Sequence, residues 1–103
     1  MGKILCNLLR DIKEEISPIF VPIQFIVIGS NNNEIVNPTD IDIILIVDND
    51  VDVYSLVHQI SSKIVALIIK HRILISIYPI RKSCYDACET QFINNIHRYG
   101  ISF

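Results

Sequence analysis

Two apolar runs limit what this chain can fold into more than any other feature. Ile23 to Ile28 and Ile41 to Val47 each contain a single polar residue, Gln24 in the first and Asp42 in the second. They are too short for core helices and rich in β-branched residues, which reads as strand. A strand that alternated apolar and polar would have one wet face. These do not alternate, so both faces are expected to be covered, and the first run should lie centrally in a sheet.

The rest of the chain supplies covering elements. Ile4, Leu5, Leu8, Leu9, Ile12 and Ile16 recur at helical spacing, with Asp11, Lys13, Glu14 and Glu15 on the other side. This predicts an amphipathic helix over 4–19 that Ser17-Pro18 brings to an end. Phe20-Val21-Pro22 connects it to the first strand, and Asp48-Asn49-Asp50 is a turn after the second. A helix fits Val53 to Lys70, with Leu56, Val57, Ile60, Ile64, Leu67 and Ile68 on one face and Asp52 as its N-cap. Ile73 to Ile80 reads as a third strand, placed at an edge by Pro79, which has no N–H to donate. A last helix is expected over Tyr85 to Tyr99, stopped by Gly100, with Ile101-Ser102-Phe103 as a short edge strand.

The second apolar run starts with chemistry. Asp40 and Asp42 stand at i and i+2, so in a strand they project to one face, roughly 7 Å apart. An Asp after Pro38-Thr39 also has a plain reading as a turn residue. Against that reading, two carboxylates at the rim of a core repel each other and are costly without a cation or donors. Hard oxygen ligands of this kind suit Mg²⁺. The first strand ends in Gly29-Ser30, where backbone N–H groups and a hydroxyl can meet a phosphate. Between the two lies the polar segment Asn31 to Thr39. Its three successive Asn residues are poor helix formers, so a loop is expected there.

Gly29-Ser30, a spacer, and Asp40-Ile41-Asp42 ahead of Ile43-Ile44-Leu45-Ile46-Val47 resemble the Gly-Ser…Asp-x-Asp signature of the DNA-polymerase-β-like nucleotidyltransferases. Within that superfamily the chain is most similar to the minimal nucleotidyltransferase (MNT) domain, the antitoxin partner in HEPN/MNT pairs. The preceding amphipathic helix and the tail from Phe92 to Ile101 extend the likeness over nearly the whole chain.

The resemblance implies an α+β (α/β) nucleotidyltransferase fold, a small mixed sheet of three to four strands packed by helices, as one domain over 1–103. It implies Mg-dependent adenylyl transfer from ATP, or another nucleoside triphosphate, to a hydroxyl of a protein or other acceptor. Asp40 and Asp42 would be the catalytic and metal-holding pair, and Gly29 and Ser30 would bind the nucleotide. Arg72 or Lys70 could assist at the phosphates, and Glu34 could stand in as an extra acid, although charges at a helix end or in a loop are ordinarily solvated. The partner it implies is a small helical HEPN-type protein, with a homo-oligomer as the alternative.

Two departures bear on activity. The spacer is one residue shorter than is usual in the family and has no Gly, and the family's third carboxylate falls where this chain has Ser76. A neutral oxygen is a poor ligand for a hard dication. The alternatives are therefore a degenerate subunit that neutralises its partner by binding alone, or a regulatory module that binds nucleotide without transfer.

Composition narrows the remaining choices. Net charge is −2 with pI near 5.8, which disfavours strong nucleic-acid binding. Half of the 103 residues are hydrophobic, more than a small core needs, which points to a surface buried against a partner. No uninterrupted apolar run reaches the length of a membrane span, and Met1-Gly2-Lys3-Ile4-Leu5-Cys6 has no signal-peptide pattern, so a cytoplasmic protein is expected. Cys6, Cys84 and Cys88 are odd in number and read as free thiols, either buried or facing a partner.

Overall fold

The computed structural model describes residues 2–29 and 39–103. It contains α1 (Lys3–Ile16), β1 (Gln24–Gly29), β2 (Asp40–Val47), α2 (Val53–His71), β3 (Leu74–Arg81), α3 (Lys82–Ala87), α4 (Gln91–Tyr99) and β4 (Ile101–Ser102). The strands form one four-stranded mixed sheet in the order β3-β2-β1-β4. β1 pairs antiparallel with β2 and β4, whereas β2 and β3 run parallel. The parallel pair needs a long crossover, and α2 supplies it. This is an α+β domain. Its two most apolar strands are central, and the Pro79-bearing strand lies at an edge, as its sequence predicts.

Strand alternation divides the core into two. Phe25 and Val27 of β1, together with Ile41, Ile43, Leu45 and Val47 of β2, face α1 and α2. Those helices contribute Leu5, Leu8, Leu9, Ile12 and Ile16, then Leu56, Ile60, Ile64 and Leu67. On the opposite face Ile26, Ile44 and Ile46 meet Ile93 and Ile96 of α4, with Ile80 and Tyr85 beside them. Asp52 caps α2 as expected, accepting from the N–H groups of Tyr54 and Ser55 at 3.2 Å each. By length and composition α2 is apolar enough to cross a membrane, yet in the fold its inner stripe is core.

Three local expectations need correction. The first helix stops at Ile16 rather than Ile19, and a turn follows it. The single helix over 85–99 is two helices. α3 ends at Ala87, and α4 restarts after Thr90, whose hydroxyl accepts from Ile93 N–H at 3.1 Å. A hydroxyl N-cap inside a helical pattern offers the backbone an alternative partner, which is why the run breaks there. α3 also begins earlier than expected, and its own N-cap, Arg81, makes no side-chain cap. Instead Asn49, in the turn after β2, accepts from Ser83 N–H at 3.1 Å.

Gly100 does end α4, but with extended angles (φ −65°, ψ 143°). What it provides is space. A Cβ there would lie 2.5 Å from the Ile96 carbonyl oxygen and 2.6 Å from Ile26 Cγ2. The left-handed helix end belongs instead to Arg72, at φ 57°.

Candidate functional site

β2 positions both aspartates. Asp40 and Asp42 lie on the same face as Ile44 and Ile46, because Ile41 and Ile43 between them point into the other core. Both are half-buried, whereas the apolar residues that alternate with them are fully enclosed. The sheet brings three further residues alongside. Asp42 is opposite Ile28 on β1 and Ser76 on β3, and Asp40 is opposite Leu74. Gly29 closes β1 in register with Ile41 and is buried. Asp40, Asp42 and Gly29 therefore lie at the same end of the sheet, the aspartates on the face of Ile44 and Ile46, and Gly29 at a β1 position that alternates with Phe25 and Val27 toward the other face. Ser30 and Glu34 lie outside the described residues, as does all of the polar segment except Thr39.

The position where the resemblance calls for a third acid is the position beside Asp42, and Ser76 occupies it. One pleat further along, Ile44 is opposite Tyr78, whose ring meets Phe92 of α4 edge-on with centroids 5.2 Å apart. That aromatic pair lies between the aspartates and the part of the face that α3 and α4 cover. α3 and α4 cover the sheet beyond it, over Ile26, Ile44 and Ile46; Asp40, Asp42 and Ser76 lie past these helices and are half-buried, and Ile28 opposite Asp42 is buried.

Carboxylates from Asp40 and Asp42, with the Ser76 hydroxyl, offer hard oxygen donors that fit Mg²⁺ in kind. Among the described residues no group of three or more His, Cys, Asp or Glu side chains stands ready for a metal.

The remaining cations are engaged elsewhere or lie at the rim. Lys70 donates to Asp11 Oδ2 at 3.0 Å, and His71 Nε2 stands 2.8 Å from the same oxygen, tying α2 to α1. The Lys70 contact, followed by that of His71, holds the Asp11 carboxyl below its usual pKa range. Lys70 therefore faces the α1 side of the sheet, away from the aspartates, and is not available to phosphates bound there. Arg72 is exposed just before β3, where Leu74 N–H donates to the Thr39 carbonyl at 3.0 Å, so its backbone lies at the Asp40 end of the sheet. A groove of about 340 Å³ runs between α1 and α2, lined by Asp11, Glu14, Glu15, Lys63 and Lys70. It lies across the sheet from Asp40 and Asp42. Two of its three carboxylates are paired with amines, Glu15 with Lys63 at 3.6 Å and Asp11 with Lys70 at 3.0 Å.

No family model, no curated protein and no solved structure matches this chain. Its class is set by its own architecture: an α+β domain whose mixed sheet presents an acidic pair at one rim.

Proposed function

We propose that this protein is a Mg²⁺-dependent nucleotidyltransferase that moves an adenylyl group from ATP to a hydroxyl on a protein partner. The observation that carries the reading is the shared face of Asp40 and Asp42, half-buried at the end of a buried strand, with Ser76 opposite Asp42 on one neighbour and Gly29 ending the other. In the reaction the acceptor oxygen attacks the α-phosphorus, the bond between α-phosphorus and the bridging oxygen breaks, pyrophosphate leaves, and the hydroxyl proton passes to solvent. Bound magnesium supplies charge neutralisation at the phosphates. Asp40 and Asp42 would hold it, and the rigid sheet fixes the spacing of the pair.

Incubation with α-labelled ATP, Mg²⁺ and the neighbouring gene product is expected to label that product. Asp42→Asn should reduce labelling by about a hundredfold or more, the usual effect of removing one preorganised charge contact. An unlabelled product, with wild type and variant alike, overturns the reading.

A second reading has its own support. Ser76 in place of an acid weakens the case for a second metal, and α2 exposes Val57, Val65 and Ile69 along its outer side, with Tyr54 at 87% exposure. A non-catalytic subunit that neutralises a helical partner by docking fits those two features. It predicts a complex on size exclusion that survives Asp40→Asn. If the complex needs the aspartate, the docking reading falls.

A further inference from the structure

Cys84 and Cys88 form a chemical site separate from the aspartate face. Cys84 is half-buried in α3, Cys88 is its exposed C-cap, and their sulfurs are 2.7 Å apart. The Cys88 N–H donates to the Cys84 carbonyl at 2.8 Å, so the two sit one turn apart at the last turn of the helix. Within a regular helix, side chains four apart have Cβ atoms about 5–6 Å apart, too far for the roughly 3.8 Å of a disulfide. Here Cys88 is the C-cap, with the chain leaving the helix after it at ψ 133°, so the shift that brings its Cβ within bonding reach of Cys84 disturbs only the last turn. The sulfur of Cys84, with a smaller effect from lost hydration, pushes the Cys88 thiol above its ordinary pKa, as expected for two groups in direct contact.

We propose that Cys84 and Cys88 are a dithiol exchange site that takes low-molecular-weight disulfides, glutathione disulfide being the representative substrate. One Cys thiolate attacks a sulfur of the disulfide, forming a mixed disulfide and releasing one glutathione thiolate. The second Cys, after giving its proton to solvent, attacks the protein sulfur of that adduct and expels the second glutathione. Two electrons pass from the protein to the disulfide, which becomes two thiols, and the protein gains one intrahelical bond. The bond closes beside the joint between α3 and α4. There Tyr85 stacks on His97 with centroids 4.2 Å apart, and the Tyr85 carbonyl lies 2.7 Å from His97 Nε2. Oxidation therefore ties off the C-terminal end of α3, next to that contact with α4. This inference is independent of the nucleotide reading.

Both cysteines fall in one tryptic peptide, Ser83 to Arg98. The full chain is treated with glutathione disulfide, alkylated, digested and weighed. The expected peptide is lighter by two hydrogens, carries no alkyl group, and reverts with dithiothreitol. Cys6, exposed on α1 with no sulfur neighbour among the described residues, is expected to carry glutathione or an alkyl group instead. In C84S and C88S the remaining thiol should accumulate the mixed disulfide. Closure in the folded chain should run about tenfold faster than in urea, since the fold supplies the proximity. Two alkyl groups or two glutathiones on the peptide overturn the proposal. So does closure no faster in the folded chain than in urea.

Discussion

The two faces of the sheet are built on different terms. On one, helices of 14 and 19 residues lay apolar stripes across every inward residue from Phe25 to Ile75. On the other, helices of 6 and 9 residues cover only the middle of β1 and the far end of β2. The first face is closed and holds the fold together. On the second the described helices stop short of Asp40, Asp42 and Ser76, which stand half-buried at the end of the sheet. β2 belongs to both, so one strand gains rigidity from its odd positions and presents chemistry from its even ones. A rim of this kind can hold charged groups at fixed spacing because the residues between them are locked in a core.

Truncations should separate the faces most clearly. Leu45→Ala, in the closed face, is expected to cost about 3–4 kcal/mol, whereas Ile96→Ala, under the shorter α4, should cost about 2 kcal/mol. Denaturant titration of both reads the difference, and equal losses would mean the two layers are equally tight. Next in size is Gly100→Ala. Glycine to alanine usually helps by restricting the unfolded chain, but here the new methyl meets a backbone oxygen and Ile26, so a net loss of about 2 kcal/mol is expected.

Ser76→Asp tests the open face directly. A third carboxylate beside Asp42 should lower metal-free stability by about 1 kcal/mol through like-charge repulsion and raise Mg²⁺ affinity about tenfold. Calorimetric Mg²⁺ titration and melting with and without the ion check both halves. A variant that melts lower and gains no affinity removes Ser76 from the site.

The smallest effect concerns the tie between α1 and α2. Asp11 has a lowered pKa in the folded chain, so it binds protons less readily there than when unfolded. Its contribution is fully present above roughly pH 4 and fades as pH falls through the lowered folded value. Asp11→Asn should therefore melt below wild type at neutral pH, with the gap closing in acid and shrinking in high salt. A gap that persists in acid assigns it to packing instead.

Much of this architecture was legible because its signals are local. Unbroken apolarity in Ile23–Ile28 and Ile41–Val47 marked the central strands, and Pro79 marked an edge. Helical periodicity located α1 and α2, and Asp52 located the start of α2 to the residue. Structure and local pattern part where two local preferences compete. Periodicity over 85–99 argued for one helix, and the Thr90 hydroxyl divided it. On α2, Val57 carried the inward pattern yet is exposed, since a stripe has less room against one sheet than its hydropathy suggests. Arg72 gave no sign of its left-handed backbone because the demand comes from the sharp passage between α2 and β3.

By itself the sequence determined the period of each element, and hence that Asp40 and Asp42 share a face, because side-chain direction in a strand follows from backbone geometry alone. Only the tertiary structure decided what stands opposite them. Register between strands is a long-range choice made by the packing of both layers, and it set Ser76 beside Asp42 and Gly29 beside Ile41. The break between α3 and α4 likewise puts Cys88 at a helix end, with its sulfur 2.7 Å from that of Cys84, where periodicity predicts the interior of a longer helix.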